Sequence, residues 1–319
     1  MIPKNNQLSS TNDKHKPIWV LKFRLLIKSF ITNFRIFRKN PIGIIGLLII
    51  LFFFVFSFMH PIMIRYFWDR NMYDPIIGYD DSIPAHPSPP SKTHLLGTDI
   101  LGRDILSQLM WSTRPAFILG ISAALITVIL STTIGAITAY YGKVIDAIFM
   151  RLADIIIMMP FITLLIVLSS LIDLQLIHLA VVLGILGGLG GTTIIIKSQA
   201  LVIKVKTFIE AARVAGGSDA HIIIWHIIPN LLPLSFLYMM FSVTSAIFSE
   251  AILSYFGLLN IRMSWGLMIH TTSQSGYLLN MKYWWLIFPA SVAISLLCSA
   301  FYLVGRALDE IVNPRLRVR

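Results

Sequence analysis

The chain carries little charge and almost no cysteine. Only 13% of its 319 residues are Asp, Glu, Lys or Arg, and acids number 15 against 26 Lys and Arg. Cys298 is the single cysteine, so no disulfide forms within the chain and cysteine usage leaves the redox compartment open. A cleavable signal places a short apolar region early, whereas about 40 polar and basic residues precede Ile42. The nearest approach to a phosphate loop, Gly191-Thr-Thr-Ile-Ile-Ile-Lys197-Ser198, lacks the glycine directly before lysine that lets backbone wrap a phosphate. ATP binding by this chain is therefore not expected. His221 and His226 stand five apart and leave a common helix face, so no metal site is expected. Asp99 and Asp104 diverge on a helix in the same way, which argues against an acid–base pair; Asp99 is read instead as the cap of a helix carrying Leu101, Ile105, Leu109 and Met110. With no nucleophile–base constellation either, the chain reads as non-catalytic.

What is abundant is apolar sequence: 56% of residues are hydrophobic and the mean hydropathy is +0.78. A helix needs roughly 20 apolar residues to span a bilayer. Six runs approach that length, at about 42–64, 115–141, 155–172, 177–196, 231–257 and 286–305. They show no regular polar alternation, so helices are expected rather than a barrel. The expectation is an all-α membrane protein of about six transmembrane helices. It has a polar tail over 1–40, a membrane domain over 41–319 and an outer loop over 65–114. If the N-terminus is inside, the inner segments hold 19 Lys and Arg against 7 outside, which places both termini in the cytoplasm. Topology thus accounts for the net charge of +11, and nucleic acid is not an expected partner. Within the tail, Lys22, Arg24, Lys28, Arg35, Arg38 and Lys39 alternate with Trp19, Phe23, Phe30, Phe34 and Phe37. This suits either a helix lying on an anionic leaflet or a basic tail that only sets topology.

The segment 197–230 breaks the apolar pattern. Thr207 and Glu210 have the T-x-x-E spacing of a capping box. Ala211, Ala212, Arg213, Val214 and Ala215 are compatible with helix, and Gly216-Gly217 supplies a left-handed stop. Ser218-Asp219 then caps a second, Ile-rich helix predicted to end at Pro229 and lead into the fifth span. The small residues of the first helix allow close backbone approach, which suits either a partner's groove or a plain connecting helix.

These residues also resemble a known family. Glu210-Ala211-Ala212, Gly216 and, nine residues on, Pro229 look like the EAA signature of ATP-binding cassette importer permeases. His226-Ile-Ile-Pro-Asn230 looks like the dipeptide/oligopeptide (nickel) branch, C-type subunit. His94-Leu-Leu-Gly-Thr-Asp99 with Gly102-Arg103-Asp104, Tyr140-Tyr-Gly142 with Asp146, Arg151 and Asp154, Ser264-Trp-Gly266 and Asn313-Pro-Arg-Leu-Arg317 extend the match in order. The resemblance implies a type I importer fold in a prokaryotic cytoplasmic membrane. It further implies a second similar permease, two cytoplasmic ATP-binding subunits and an extracellular substrate-binding protein as partners. ATPase coupling would fall on Thr207, Glu210, Ala211, Ala212, Arg213, Gly216, Ser218 and Asp219. Short peptides are the implied cargo, with nickel or metal chelates and oligosaccharides as alternatives.

Other features keep two readings at this stage. Glu250 lies inside the fifth span, as an interhelical hydrogen-bonding group or a gate or pathway residue. Gly184, Gly187, Gly188, Gly190 and Gly191 serve close packing or bending of the fourth span. Trp265, Tyr283, Trp284 and Trp285 fit an outer interfacial belt, and Asp173 and His178 a solvated outer turn. A proton-coupled secondary transporter, the reading from another class, would need a relay of intramembrane ionisable groups, and Glu250 is its main support.

Overall fold

In hydrocarbon every backbone N–H and C=O must be satisfied within the protein, and a helix does this segment by segment. The computed structural model describes residues 37–312, and every regular element among them is helical. The N-terminal basic segment before Phe37 and the Asn313–Arg317 motif lie outside the described residues. Helix α1 is Pro41–Tyr66, α2 a single turn at Arg70–Tyr73, and α3 the 37-residue Ile105–Tyr141. Helices α4 (Lys143–Met158) and α5 (Phe161–Leu171) form one bent pair, α6 (Leu176–Leu189) and α7 (Gly191–Lys204) another. The short α8 (Thr207–Val214) and α9 (Asp219–Ile222) precede a π turn at Ile223–Ile227 and α10 (Ile228–Tyr255). Helix α11 (Trp265–Gln274), a 3₁₀ turn at Met281–Leu286 and α12 (Phe288–Val312) complete the order.

Four helical stretches are long and apolar enough to cross a membrane: Pro41–Tyr66, Ile105–Tyr141, Asp219–Tyr255 and Phe288–Glu310. Counting each bent pair as one span gives six. The predicted straight span over 155–172 is corrected. Helix α4 begins at Lys143, and the chain turns by 88° before α5. Pro160 is the cause, because a proline drives the residue before it out of helical geometry, and Met159 is extended at ψ 132°. The fourth run bends by 41° at Gly190, whose φ −89° and ψ −138° suit a residue without Cβ. Its glycines also pack closely. A Cβ at Gly184 would lie 2.5 Å from Ile126 Cβ, and one at Gly188 would lie 2.7 Å from Leu130 Cβ. Packing and bending therefore fall to different members of the cluster.

Helix α3 is the hub, packing against α1, α6, α7 and α10, while α12 closes the bundle against α1 and α10. Phe53, Phe117, Trp265, Trp285, Leu297 and Phe301 share one core cluster. Trp265 and Trp285 are thus core residues, 1% and 5% exposed, and not belt residues. Their indole N–H groups donate to Leu109 O (3.1 Å) and Thr98 O (3.3 Å), which makes burial of these large rings tolerable. Trp284 alone of the three stays exposed. By contrast α1 presents Ile45, Leu48, Phe52, Val55 and Ile62 outward, the surface of a helix facing lipid.

Both ends of the bundle are tied. At one, Asn40 Oδ1 accepts from Gly43 N–H to cap α1, and Asn40 Nδ2 donates to Glu310 Oε2 at 2.6 Å. That end also gathers Lys143, Lys204, Lys206 and Arg213 and is called the basic end. At the opposite end, Asn260 N–H donates to Leu174 O and Asn260 Nδ2 to Asp173, while His178 and Asp173 are exposed.

Tight glycine packing makes a checkable claim. Gly184→Val should destabilise the protein by about 1–3 kcal/mol through overpacking against Ile126, read as a lower unfolding midpoint in detergent. Gly191→Ala, whose added Cβ meets only Ile157 Cδ1 at 3.9 Å, should shift it by under about 0.5 kcal/mol. Equal midpoints for the two variants would contradict the packing.

Candidate functional site

The basic end carries a short protruding helix built for contact. Residue Ile209 is fully buried and anchors α8 in a cluster with Ala139, Tyr140, Ile203, Ile222 and Ile227. The opposite face of α8 is open. Phe208 is 42% and Val214 89% exposed, and Glu210, Ala211, Arg213 and Ala215 are exposed beside them, with Ala212 half-buried. The predicted capping box is corrected: Lys206 is the N-cap, with no side-chain capping bond, and Thr207 is the first helical residue. The T-x-x-E spacing is one position too far into the helix for threonine to cap it. The stop forms as predicted, with Gly216 at φ +85°, its N–H to Arg213 O, and Gly217 N–H to Ala212 O. Ser218 Oγ accepts from His221 N–H at 3.3 Å and caps α9.

The second helix does not end at Pro229. It continues through the π turn into α10 as a single 37-residue stretch. A proline cannot donate to the carbonyl four residues back and crowds it; here the turn widens directly before Ile228-Pro229 and the helix runs on. The helix that follows the Gly216-Gly217 stop and the membrane span are thus one continuous rod.

Five contacts fasten this element to α3, and none of them is signalled by the sequence. Lys204 Nζ donates to Ala139 O (3.0 Å) and Tyr140 O (2.7 Å), the unpaired carbonyls at the end of α3. Tyr140 Oη donates to Asp219 Oδ1 at 2.6 Å. The Arg213 guanidinium and Lys204 ammonium lie 5.9 and 5.8 Å from the Tyr140 ring centre, within cation–π range. Nearby, Lys197 pairs with Asp146, joining α7 to α4.

Above this machinery lies a cavity of about 370 Å³ between the α4–α5 break, the α6–α7 bend and α10. Thr127, Thr192, Tyr238, Ser242 and Ser245 supply its polar groups, and among the described residues no charged side chain lines it. Glu250 does not reach it. That carboxylate is 3% exposed and accepts from Ser254 Oγ at 2.6 Å.

At the opposite end, residues 67–104 fold into a cap centred on His94. Its ring is fully buried and bridges Asp104 Oδ2 (2.8 Å) and Asp80 Oδ2 (3.1 Å). Asp104, and not Asp99, caps α3, accepting from Ser107 N–H. Asp99 turns inward, accepting from Leu101 and Arg103 N–H and pairing with Arg103 Nη2 at 2.6 Å. The tight turn at Gly102, φ +81°, places Arg103 and Asp104 on opposite duties. Hydrogen bonding to Asp104 raises the His94 pKa above its usual value against the opposing effect of burial. The Ser82 hydroxyl holds Asp80 below its own.

A bundle of four to six long apolar helical spans defines a multi-pass integral membrane protein. Residues 131–318 match the model of the family described as binding-protein-dependent transport system inner membrane component, and the chain belongs to that family. It is 31% identical over 286 residues to the dipeptide transport system permease protein of Bacillus subtilis, covering 88% of this chain and 84% of that one. The oligopeptide transport system permease proteins of Bacillus subtilis (30%, 88% of each chain) and Escherichia coli K12 (29%, 88% of this chain and 89% of that one) are similar along most of their length. The chain is accordingly a permease subunit of an ATP-binding cassette importer.

The cap gives a pH-dependent expectation. With its folded pKa raised, His94 contributes stability that is full below its unfolded pKa and fades as pH rises through the folded value. Asp80, depressed, contributes above its unfolded value and loses this as pH falls through its folded value. His94→Ala leaves two buried carboxylates without their bridge and should cost about 3 kcal/mol or more. The gap from wild type, followed by thermal unfolding, should be wider at pH 6 than at pH 8.5. A constant gap would mean that the histidine acts as a neutral bridge throughout.

Proposed function

We propose that this permease forms half of a translocation path for short peptides and opens it by alternating access, driven by ATP hydrolysis in separate subunits. The observation that carries this is the α8 element: a short helix closed by the Gly216 stop and standing out of the basic end, anchored by Ile209, with its far face exposed. The surplus of Lys and Arg supports a cytoplasmic position for that end, and the bacterial relatives support a prokaryotic inner membrane. The docking surface comprises Glu210, Ala211, Arg213 and Val214, with Thr207, Ala212, Gly216, Ser218 and Asp219 shaping it. Shifting a gate from 1:99 to 99:1 takes roughly 5.5 kcal/mol of differential binding. One exposed ion pair supplies about 0–1 kcal/mol, so the whole helix surface must dock, which calls for a stable ATPase complex.

The partners of the assembly are a second, similar permease, two ATP-binding subunits and a substrate-binding protein. The printed names of the relatives, dipeptide and oligopeptide permeases, support a peptide cargo. The cavity's uncharged, hydroxyl-bearing wall suits a chain of amides whose end charges differ from peptide to peptide. Glu250, closed off by Ser254, lends little to a proton relay.

The test is Glu210→Lys combined with Gly216→Pro. Proline cannot adopt φ +85°, so the stop is lost together with a surface charge. Membrane insertion should be normal, while ATPase association and ATP-driven peptide uptake should each fall at least about tenfold, the effect of ~1.4 kcal/mol. Full association and uptake in the double variant would sink the docking assignment. Cargo is decided separately, by the ligand that co-purifies with the cognate binding protein.

A further inference from the structure

We infer that Tyr140 is the pin through which force on the docking helix reaches the transmembrane bundle. This rests on reading α8 as the ATPase-docking element. The loop that carries α8 is fastened to one point at both ends. At its entry Lys204, the last residue of α7, donates to the carbonyls of Ala139 and Tyr140. At its exit Asp219, the first residue of α9, accepts from the Tyr140 hydroxyl. From α8 itself, Arg213 lies over the same ring. Three separate segments thus converge on a single phenol that is 8% exposed. A loop held only at its hydrophobic anchor could rock about Ile209 without moving the spans. A loop closed on Tyr140 cannot, because any displacement of α8 is applied to the end of α3.

What lies beyond Tyr140 is built to use that displacement. Gly142 has φ +65° and Lys143 φ +47°, and the space around Gly142 is open. The chain therefore pivots directly after the pin into α4, one wall of the cavity. Along α3 in the other direction, Ala123, Ile126, Thr127 and Leu130 meet the glycine face of α6 with no slack, and Thr127 Oγ1 donates to Gly184 O. Movement of α3 is passed to α6 rather than absorbed, since packed interiors shift between discrete arrangements instead of deforming. Tyr140 acts through its neighbours and touches neither nucleotide nor cargo, so it is a positioning residue.

The test uses the assembled importer in proteoliposomes, with ATPase association, ATP hydrolysis and peptide uptake measured on one preparation. Tyr140→Phe keeps the ring and its burial and removes only the hydroxyl. Association should stay at the wild-type level and hydrolysis within about twofold, while peptide taken up per ATP should fall about five- to tenfold, the effect of one charge-assisted hydrogen bond. A residue that merely supports the fold would lower uptake and hydrolysis together. Tyr140→Phe combined with Asp219→Ala should transport no less per ATP than the worse single variant, because both break the same link. Unchanged transport per ATP in Tyr140→Phe, or losses that multiply in the double variant, would overturn the pin. The Glu210→Lys, Gly216→Pro variant run alongside separates the two readings. If it loses association while Tyr140→Phe transports normally, docking stands and the pin fails. If it associates and transports fully, docking fails and the pin with it.

Discussion

A long helix ends with carbonyls that have no donor of their own, and inside a membrane protein that deficit organises what surrounds it. The end of Ile105–Tyr141 is the case that matters here. Lys204 satisfies two of those carbonyls, which fixes where α7 must stop, and its charge is favoured at a helix C-terminus by the macrodipole. With Lys204 so placed, the next residues have to leave the bundle, and Lys206 starts α8 as a protrusion. The return of the chain at Asp219 is set by the same helix end through the Tyr140 hydroxyl. The shape of the exposed element is therefore a consequence of how one helix terminus is capped.

Helical periodicity and apolar length were legible in the sequence, because lipid leaves the backbone so few choices. The membrane helices, the glycine stop at Gly216 and the Ser218 cap follow from residues acting on their immediate neighbours. What the sequence did not show are effects of side chains distant along the chain. Asp99 and Asp104 both look like helix caps, and only the buried His94, joined also to Asp80, decides that Asp104 takes the role. Trp265 and Trp285 look interfacial until Leu109 O and Thr98 O are seen to satisfy their N–H groups in the core. Tyr140 carries no local signal of its contacts with Lys204, Arg213 and Asp219, since a tyrosine near a membrane boundary is ordinary. Pro160 is the exception that local reading should have caught, because a proline inside an apolar run marks a break.

The two ends of the molecule solve opposite problems. At the cap, buried charges are closed off: His94 satisfies two carboxylates, and Arg103 is held by Asp99. Breaking such a set leaves uncompensated charge, so the cap resists partial opening. On the outer face of α8 the side chains are exposed, and single contacts there are weak and replaceable by water. A surface that docks on a partner, as proposed for α8, suits the second kind, and one that must keep its shape needs the first.

Between these ends the bends mark where rigid pieces meet. The 88° turn at Met159-Pro160 and the 41° bend at Gly190 both border the cavity, so two of its walls are helix ends facing the uninterrupted α3 and α10. Helix ends are joined by a few backbone torsions, which change at far lower cost than the repacking of a helix face. The α6 glycines bind that helix closely to α3, while α4 meets α3 through the open turn at Gly142. Motion delivered at the end of α3 is then divided unequally: α6 is held along a tight glycine seam, whereas α4 is joined to α3 by the open turn at Gly142 and to α7 by the Lys197–Asp146 pair. A difference in motion between two walls of one cavity is what changes its width. The asymmetry between a tight glycine seam and an open glycine turn thus gives the proposed alternating access a physical basis in this cavity.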